Sequence, residues 1–386
     1  MKNNLGKNFL VIILVFYLIF PSISFATNLK YGAWLPFWKK QPGANTFALQ
    51  MDKFYSISPF SYEVGINGSL IDSLKMGSGF WPQWVKAVQD GGVKVIPTIA
   101  ILDGDKIQSL LSNKKLREKH INNIVQLVKT KKYNGIDIDY EGKDPKTKIY
   151  FDYFIKELWK KLPWGKTLSC TLESRMPPDS KYAVLPKNIE YADNYYILNK
   201  YCDEIRIMAY DQGTIDLKLD AQKGKNNFYA PVADKDWVEK VIKETIKIID
   251  PKKIMIGIPT YGYEYEVSWA NRVTTYKRIR SRTFIQAMDL ADSVNAIPQR
   301  NNAGELSFVY ATTTSVNVSK NLIYQIASTT PPLGIFPSPL ITRFMNFSDS
   351  QSAAGIINLI KKYKLKGAVF FKMDGETDPA LWSKIK

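Results

Sequence analysis

Tyr133-Asn134-Gly135-Ile136-Asp137-Ile138-Asp139-Tyr140-Glu141 decides the reading of this chain. Asp137, Asp139 and Glu141 recur at every second position, with Ile136, Ile138 and Tyr140 between them. In an extended strand successive side chains point to opposite faces, so the carboxylates share one face and the apolar residues the other. A solvated edge strand and a calcium-collecting acidic loop are the plainer readings. An edge strand does not fit a position midway through a strand-and-helix series. Calcium loops gather their acids around glycine turns, not along a strand. Acids pointing into an apolar barrel are costly as a merely structural choice. Crowding like charges also raises one pKa, which keeps a carboxylic acid protonated at neutral pH. The spacing predicts a general acid, Glu141, at a barrel mouth with an aspartate behind it.

Similar apolar runs recur on either side of this strand. Candidate strands cover residues 30–36, 54–59, 93–99, 135–140, 168–172, 204–210, 254–259 and 367–371. Helical stretches are predicted over 81–90, 115–132, 146–162, 238–249 and 352–363. Continuous apolar runs suit a buried parallel sheet. Eight strands alternating with helices is the count of an α/β protein of the (β/α)8 TIM-barrel class. A gap of about 110 residues separates strand seven from strand eight, far more than one helix needs. A small α+β insertion at about 265–345 fills it. Within it, 283–293 reads as helix, while 306–312 and 317–325 suit strand or helix. Asn301-Asn302-Ala303-Gly304 reads as a turn and 328–339 as a loop.

The composition narrows the chemistry. The 386 residues are 45% hydrophobic and 23% charged, as in a folded protein. One histidine, His120, and two cysteines, Cys170 and Cys202, argue against His-rich metal sites, zinc ribbons and most histidine-based triads. No metal and no cofactor are called for. The cysteines lie in or beside neighbouring strands at different heights, and are expected as buried thiols. Lys2 and Lys7, the apolar run 9–20, Pro21 and Ser24-Phe25-Ala26 form a signal-peptide pattern, with cleavage expected after Ala26. An uncleaved anchor is the other reading of that segment. Residues 1–26 are thus a targeting segment and 27–386 the mature chain, secreted or held at the cell envelope. The chain carries +17, and losing Lys2 and Lys7 leaves +15. Its lysines are scattered and the chain is exported, so nucleic acid is not an expected partner. No second apolar stretch is long enough to cross a bilayer, so no stable membrane insertion is expected after cleavage. A monomer is expected.

Asn134-Gly135-Ile136-Asp137-Ile138-Asp139-Tyr140-Glu141 resembles the D-G-x-D-x-D-x-E signature of the family 18 glycoside hydrolases, the chitinase-like group. Three further motifs resemble that family in the same order along the chain: Met208-Ala209-Tyr210-Asp211, Gly257-Ile258-Pro259-Thr260-Tyr261-Gly262 and Asp378-Pro379-Ala380-Leu381-Trp382. The resemblance implies a glycosidase in which the substrate's own N-acetyl group is the nucleophile. It implies that Glu141 protonates the departing oxygen and then activates water. Asp139 would hold the acetamido N–H, Asp137 would share a proton or hydrogen bond with Asp139, and Tyr210 would align the acetamido carbonyl. Three departures stand out: Asn134 replaces the first Asp, 96–100 lacks the usual S-x-G-G, and Phe371, or Lys372 with a one-residue shift, takes the place of a sugar-stacking Trp on strand eight.

Trp34, Phe60, Met208, Asp211, Tyr261 and Phe371 are the expected substrate-binding residues. Phe37, Trp38, Tyr62 and Tyr263 suit groove and core equally. Asp349 suits a helix cap as well as chemistry. The expected substrate is a β-1,4-linked N-acetylglucosamine polysaccharide, either chitin or peptidoglycan. The positive charge favours the anionic envelope polymer, and Phe347-Ser348-Asp349 followed by 361–367 resembles the bacterial cell-wall and spore-cortex members of that family more than the large secreted chitinases. A catalytically silent carbohydrate-binding protein of the same fold is the alternative, which the presence of Glu141 disfavours.

Overall fold

The computed structural model describes residues 29–225, 227–270, 273–312 and 341–385. The targeting segment and the readings at 317–325 and 328–339 lie outside the described residues. Eight parallel strands form the barrel: β1 (Lys30–Leu35), β2 (Ser56–Val64), β5 (Thr98–Ile101), β6 (Gly135–Tyr140), β7 (Thr167–Glu173), β8 (Glu204–Met208), β9 (Ile254–Pro259) and β15 (Gly367–Phe371). β1 pairs with both β2 and β15, which closes the ring. Two short strands flank β2: β3 (Leu70–Asp72), antiparallel, and β4 (Lys94–Val95), parallel. The predicted run 93–99 is therefore broken. Ile96 and Pro97 separate β4 from β5, and Pro97 has no N–H to give to a ladder.

The outward face of the barrel carries Ile57, Ile99, Ile136, Ile138, Leu168, Ile205, Ile256 and Phe370, all fully buried under the helices. Helices such as Trp81–Asp90 and Lys114–Thr130 present their apolar sides to it. The inward face is different from the apolar interior expected above. It carries Ser56, Ser58, Thr98, Asp137, Asp139, Ser169, Thr171, Glu204 and Arg206, all buried. Register explains the collection: Thr98, Asp137, Ser169 and Glu204 are neighbours across four parallel strands, so they share one layer and one face.

Between β9 and β15 the chain forms a second, antiparallel sheet of five strands in the order β11-β10-β14-β13-β12. Its strands are β10 (Tyr261–Ala270), β11 (Val273–Thr283), β12 (Gln299–Arg300), β13 (Leu306–Thr312) and β14 (Ile341–Phe347). The helix Phe284–Ser293 packs on it, opened by a Thr283–Gln286 capping box. Asp349 is a cap. It accepts the Ser352 N–H at 3.0 Å at the head of helix Ser350–Lys362, and Arg300 grips both its oxygens at 2.7 Å.

The cysteines correct the sequence reading. Cys170 and Cys202 form a disulfide, with Cα atoms 6.1 Å apart. Cys202 does not lie in a strand. It ends the helix Tyr195–Tyr201, and Asp203 then joins the ladder through Leu168. The helix end therefore lies against the outward face of β7, where Cys170 points. Among the described residues no helix is long and apolar enough to cross a membrane.

Candidate active site

β6 carries its acids up the barrel axis. Asp137, deepest, is fully enclosed. Its carboxylate accepts from Trp34 Nε1 at 3.1 Å, Thr98 Oγ1 at 2.9 Å and Thr171 Oγ1 at 2.9 Å, and Arg206 approaches to 3.4 Å. Asp139, the next inward residue, is 3% exposed, and its Oδ1 has no hydrogen-bond partner among the described residues. Burial, then the Glu141 and Asp137 charges, hold its pKa well above the usual carboxylate range. Glu141 follows just past the strand end. Burial and the nearby Glu173 carboxylate push it up to about 6, against the pull of Lys143.

Tyr210, just beyond β8, faces the same acids. Burial first, then the charges of Asp139, Asp211, Glu141 and Asp137, keep its phenol protonated. Its ring stacks on Phe371, with centroids 5.3 Å apart and planes 14° off parallel. Glycine at 257 makes room for it, since a Cβ there would come within 2.7 Å of Tyr210 Cε1. Thr260 fixes Phe371 from the other side. Its N–H donates to the Phe371 carbonyl at 2.9 Å, and its hydroxyl donates to the Lys372 carbonyl at 2.8 Å. Asp211 has φ +60°, a conformation Asp tolerates better than most residues. It accepts the hydroxyls of Tyr261 and of Tyr263, the latter at 2.8 Å.

The expected binding residues thus fall into three groups. Asp211, Tyr261 and Phe371 meet Tyr210 at the mouth beside Glu141. Phe60 is half-buried on β2, in register with Thr98, and Met208 is half-buried on β8, in register with Glu173. Trp34 corrects the expectation of a groove aromatic: it is 2% exposed, packed among Met255 and Val369, with its N–H spent on Asp137. Tyr261 is also buried, and its hydroxyl donates to Asp211. Of the undecided aromatics, Tyr62 is core, with its hydroxyl 2.8 Å from that of Tyr133. Phe37 and Trp38 stand 41% and 50% exposed just past the end of β1.

Asn134 spends its side-chain oxygen away from Asp137. Its side-chain oxygen accepts the Val95 N–H at 2.9 Å and Gln89 Nε2 at 2.7 Å, which fastens the start of β6 to β4. On strand three, where S-x-G-G is missing, Thr98 donates to Asp137. His120 lies outside the barrel, between the Gly68 carbonyl at 2.9 Å and the Tyr140 hydroxyl at 2.5 Å. Three residues of consequence escaped the sequence reading. Arg206 and Glu204 alternate with Ile205 and Ile207, so the period-two argument used for β6 would have found them. Lys143 sits on a loop, where no period operates.

A model of the glycosyl hydrolases of family 18 matches residues 82–376. The chain belongs to this family. Members are glycosidases that act on N-acetylglucosamine-containing glycans. The uncharacterized glycosylase YvbX of Bacillus subtilis is 20% identical over 284 residues, covering 74% of this chain and 70% of that protein. The cortical fragment-lytic enzyme of Bacillus anthracis is 24% identical over 278 residues, covering 72% of this chain but only 55% of that protein. The fold is that of the Bacillus cereus spore cortex-lytic enzyme SleL, with a TM-score of 0.69 at 19% identity over 93% of this chain and 74% of SleL.

Proposed function

We propose that this glycosidase is exported and cleaves β-1,4-linked N-acetylglucosamine glycans of the bacterial envelope by a substrate-assisted retaining route. The observation that carries the reading is the meeting of Asp139, Glu141 and Tyr210 at one barrel mouth, over an Asp137 fixed from four sides. Glu141, with its carboxyl held near pKa 6, gives its proton to the glycosidic oxygen as the C1–O bond breaks. The substrate's acetamido oxygen closes on C1 from the opposite face. Asp139 accepts the acetamido N–H and balances the oxazolinium charge, while the Tyr210 hydroxyl donates to the acetamido oxygen and aligns it. Water then opens the ring, giving its proton to Glu141. The relatives named for cortex lysis and a mature charge of +15 favour an anionic peptidoglycan over uncharged chitin.

The test is the release of reducing ends from purified peptidoglycan and from chitooligosaccharides, by the wild-type protein and by Glu141→Gln. Cleavage by the wild type alone is expected, faster on peptidoglycan. Binding by both proteins with cleavage by neither would overturn the reading in favour of a silent carbohydrate binder.

A further inference from the structure

Lys143 stands two residues beyond Glu141, past a left-handed turn at Gly142 with φ +69°. The turn folds the chain back, so the lysine returns over the strand it has just left. Its side chain is 1% exposed. Its Nζ donates to the carbonyl of Tyr140, the residue between the two upper acids. It also lies 3.2 Å from Asp193 Oδ1 and 4.9 Å from the centre of the Phe151 ring. The turn is locked from behind, because a Cβ on Gly104 would fall 2.0 Å from the Gly142 carbonyl oxygen. Asp193 belongs to the loop after β7 and is itself tethered, since Arg175 donates to its carbonyl while lying against the rings of Tyr191 and Tyr195.

We propose that Lys143, clamped by Asp193, is a positioning residue that keeps one member of the Asp139–Glu141 pair ionised while the other carries the proton. The proposal rests on the catalytic reading above. An acid–base pair needs unequal protonation, and burial works against it by favouring the neutral form of both groups. Asp137 presses on Asp139, Glu173 on both, and Asp211 on Glu141, all in that same direction. Lys143 opposes them at both carboxyls. Asp193 faces the ammonium at 3.2 Å, with Asp152 and Tyr195 near that carboxylate. A buried ammonium held at one point is the simplest device for setting where such a pair titrates.

The test compares the wild type with Lys143→Met and Lys143→Arg. Carboxyl ¹³C NMR titration of the intact protein reads the pair directly, with Glu141 and Asp139 assigned through Glu141→Gln and Asp139→Asn. Lys143→Met should raise the titration of both carboxyls by ~1 pH unit, and Lys143→Arg should restore it. On whichever glycan the wild type cleaves, both limbs of the kcat/KM profile should move up with them. Lys143→Gln replaces the Met variant if circular dichroism shows that one unfolded. A folded variant whose carboxyls titrate as in the wild type would overturn the proposal. A wild type that cleaves neither glycan would overturn the proposed function instead, and the NMR titration would still decide the role of Lys143.

Discussion

The floor of the barrel and its mouth handle charge in opposite ways. On the floor, Arg206 meets Glu204 at 2.8 Å and Asp137 at 3.4 Å, and Lys366 takes the other oxygen of Glu204 at 2.8 Å. Carboxylates and cations alternate there, and the group that would be costliest alone, the buried Arg206, has partners on two sides. At the mouth, Asp139, Glu141, Glu173 and Asp211 crowd together with Lys143 as the cation acting on the upper pair. Asp139 keeps a buried oxygen without a partner. Paired buried charge fixes a structure, while unpaired buried charge is kept for a bond that forms later, with substrate.

The sharpest way to break this contrast is to neutralise one group in each region. Glu141→Gln should lower kcat by about 10²–10⁴-fold and leave the protein folded, as a stopped assay and a thermal melt would read. Arg206→Met should do the reverse. Removing Arg206 leaves Asp137 with only its neutral donors and Glu204 with Lys366 alone, so urea unfolding should show a loss of ~3–5 kcal/mol. Equal stability of the wild type and Arg206→Met would mean that the floor is not held by its charges.

Removing the disulfide by Cys170→Ser with Cys202→Ser separates covalent from electrostatic support. The bridge spans 32 residues and ties the end of the helix before β8 to β7. Its loss should cost ~2–4 kcal/mol in denaturant unfolding without moving the pH profile. The smallest expected effect carries the clearest sign. Glu141 titrates at about 6 when folded, above its ordinary 4.5, so the folded state binds the extra proton between those values. The stability it contributes is complete below about pH 4.5 and is lost as the pH rises through about 6. Glu141→Gln should therefore melt higher at pH 7, by ~1–2 kcal/mol, with the difference vanishing near pH 4. A gain that persists at pH 4 would place its cause elsewhere.

Much of the barrel is legible in the sequence because its strands obey a strict period. β6, β9 and β15 begin and end at the residues their apolar runs mark. The helix Lys40–Leu49 is not legible in this way. It holds Pro42 and Gly43, has no strong apolar stripe, and forms because Ala44 and Phe47 find a place in the core. The convergence of Asp139, Glu141 and Tyr210 on one end of the barrel was readable from spacing and motif order. The partners that condition them were not. Asp193 reaches Lys143 from a loop 50 residues further along the chain, and Trp34 turns into the barrel to hold Asp137, where it was expected to line the substrate groove. Such contacts depend on where loops return, which no local pattern encodes.

The proposed substrate-assisted hydrolysis makes the acetamido group the nucleophile at this mouth. Proton NMR of the first product formed, recorded before mutarotation, tests it most directly on the glycan the protein cleaves. The β anomer should appear first, with no cleavage of the de-N-acetylated glycan. First appearance of the α anomer, or equal cleavage without the acetyl group, would contradict it.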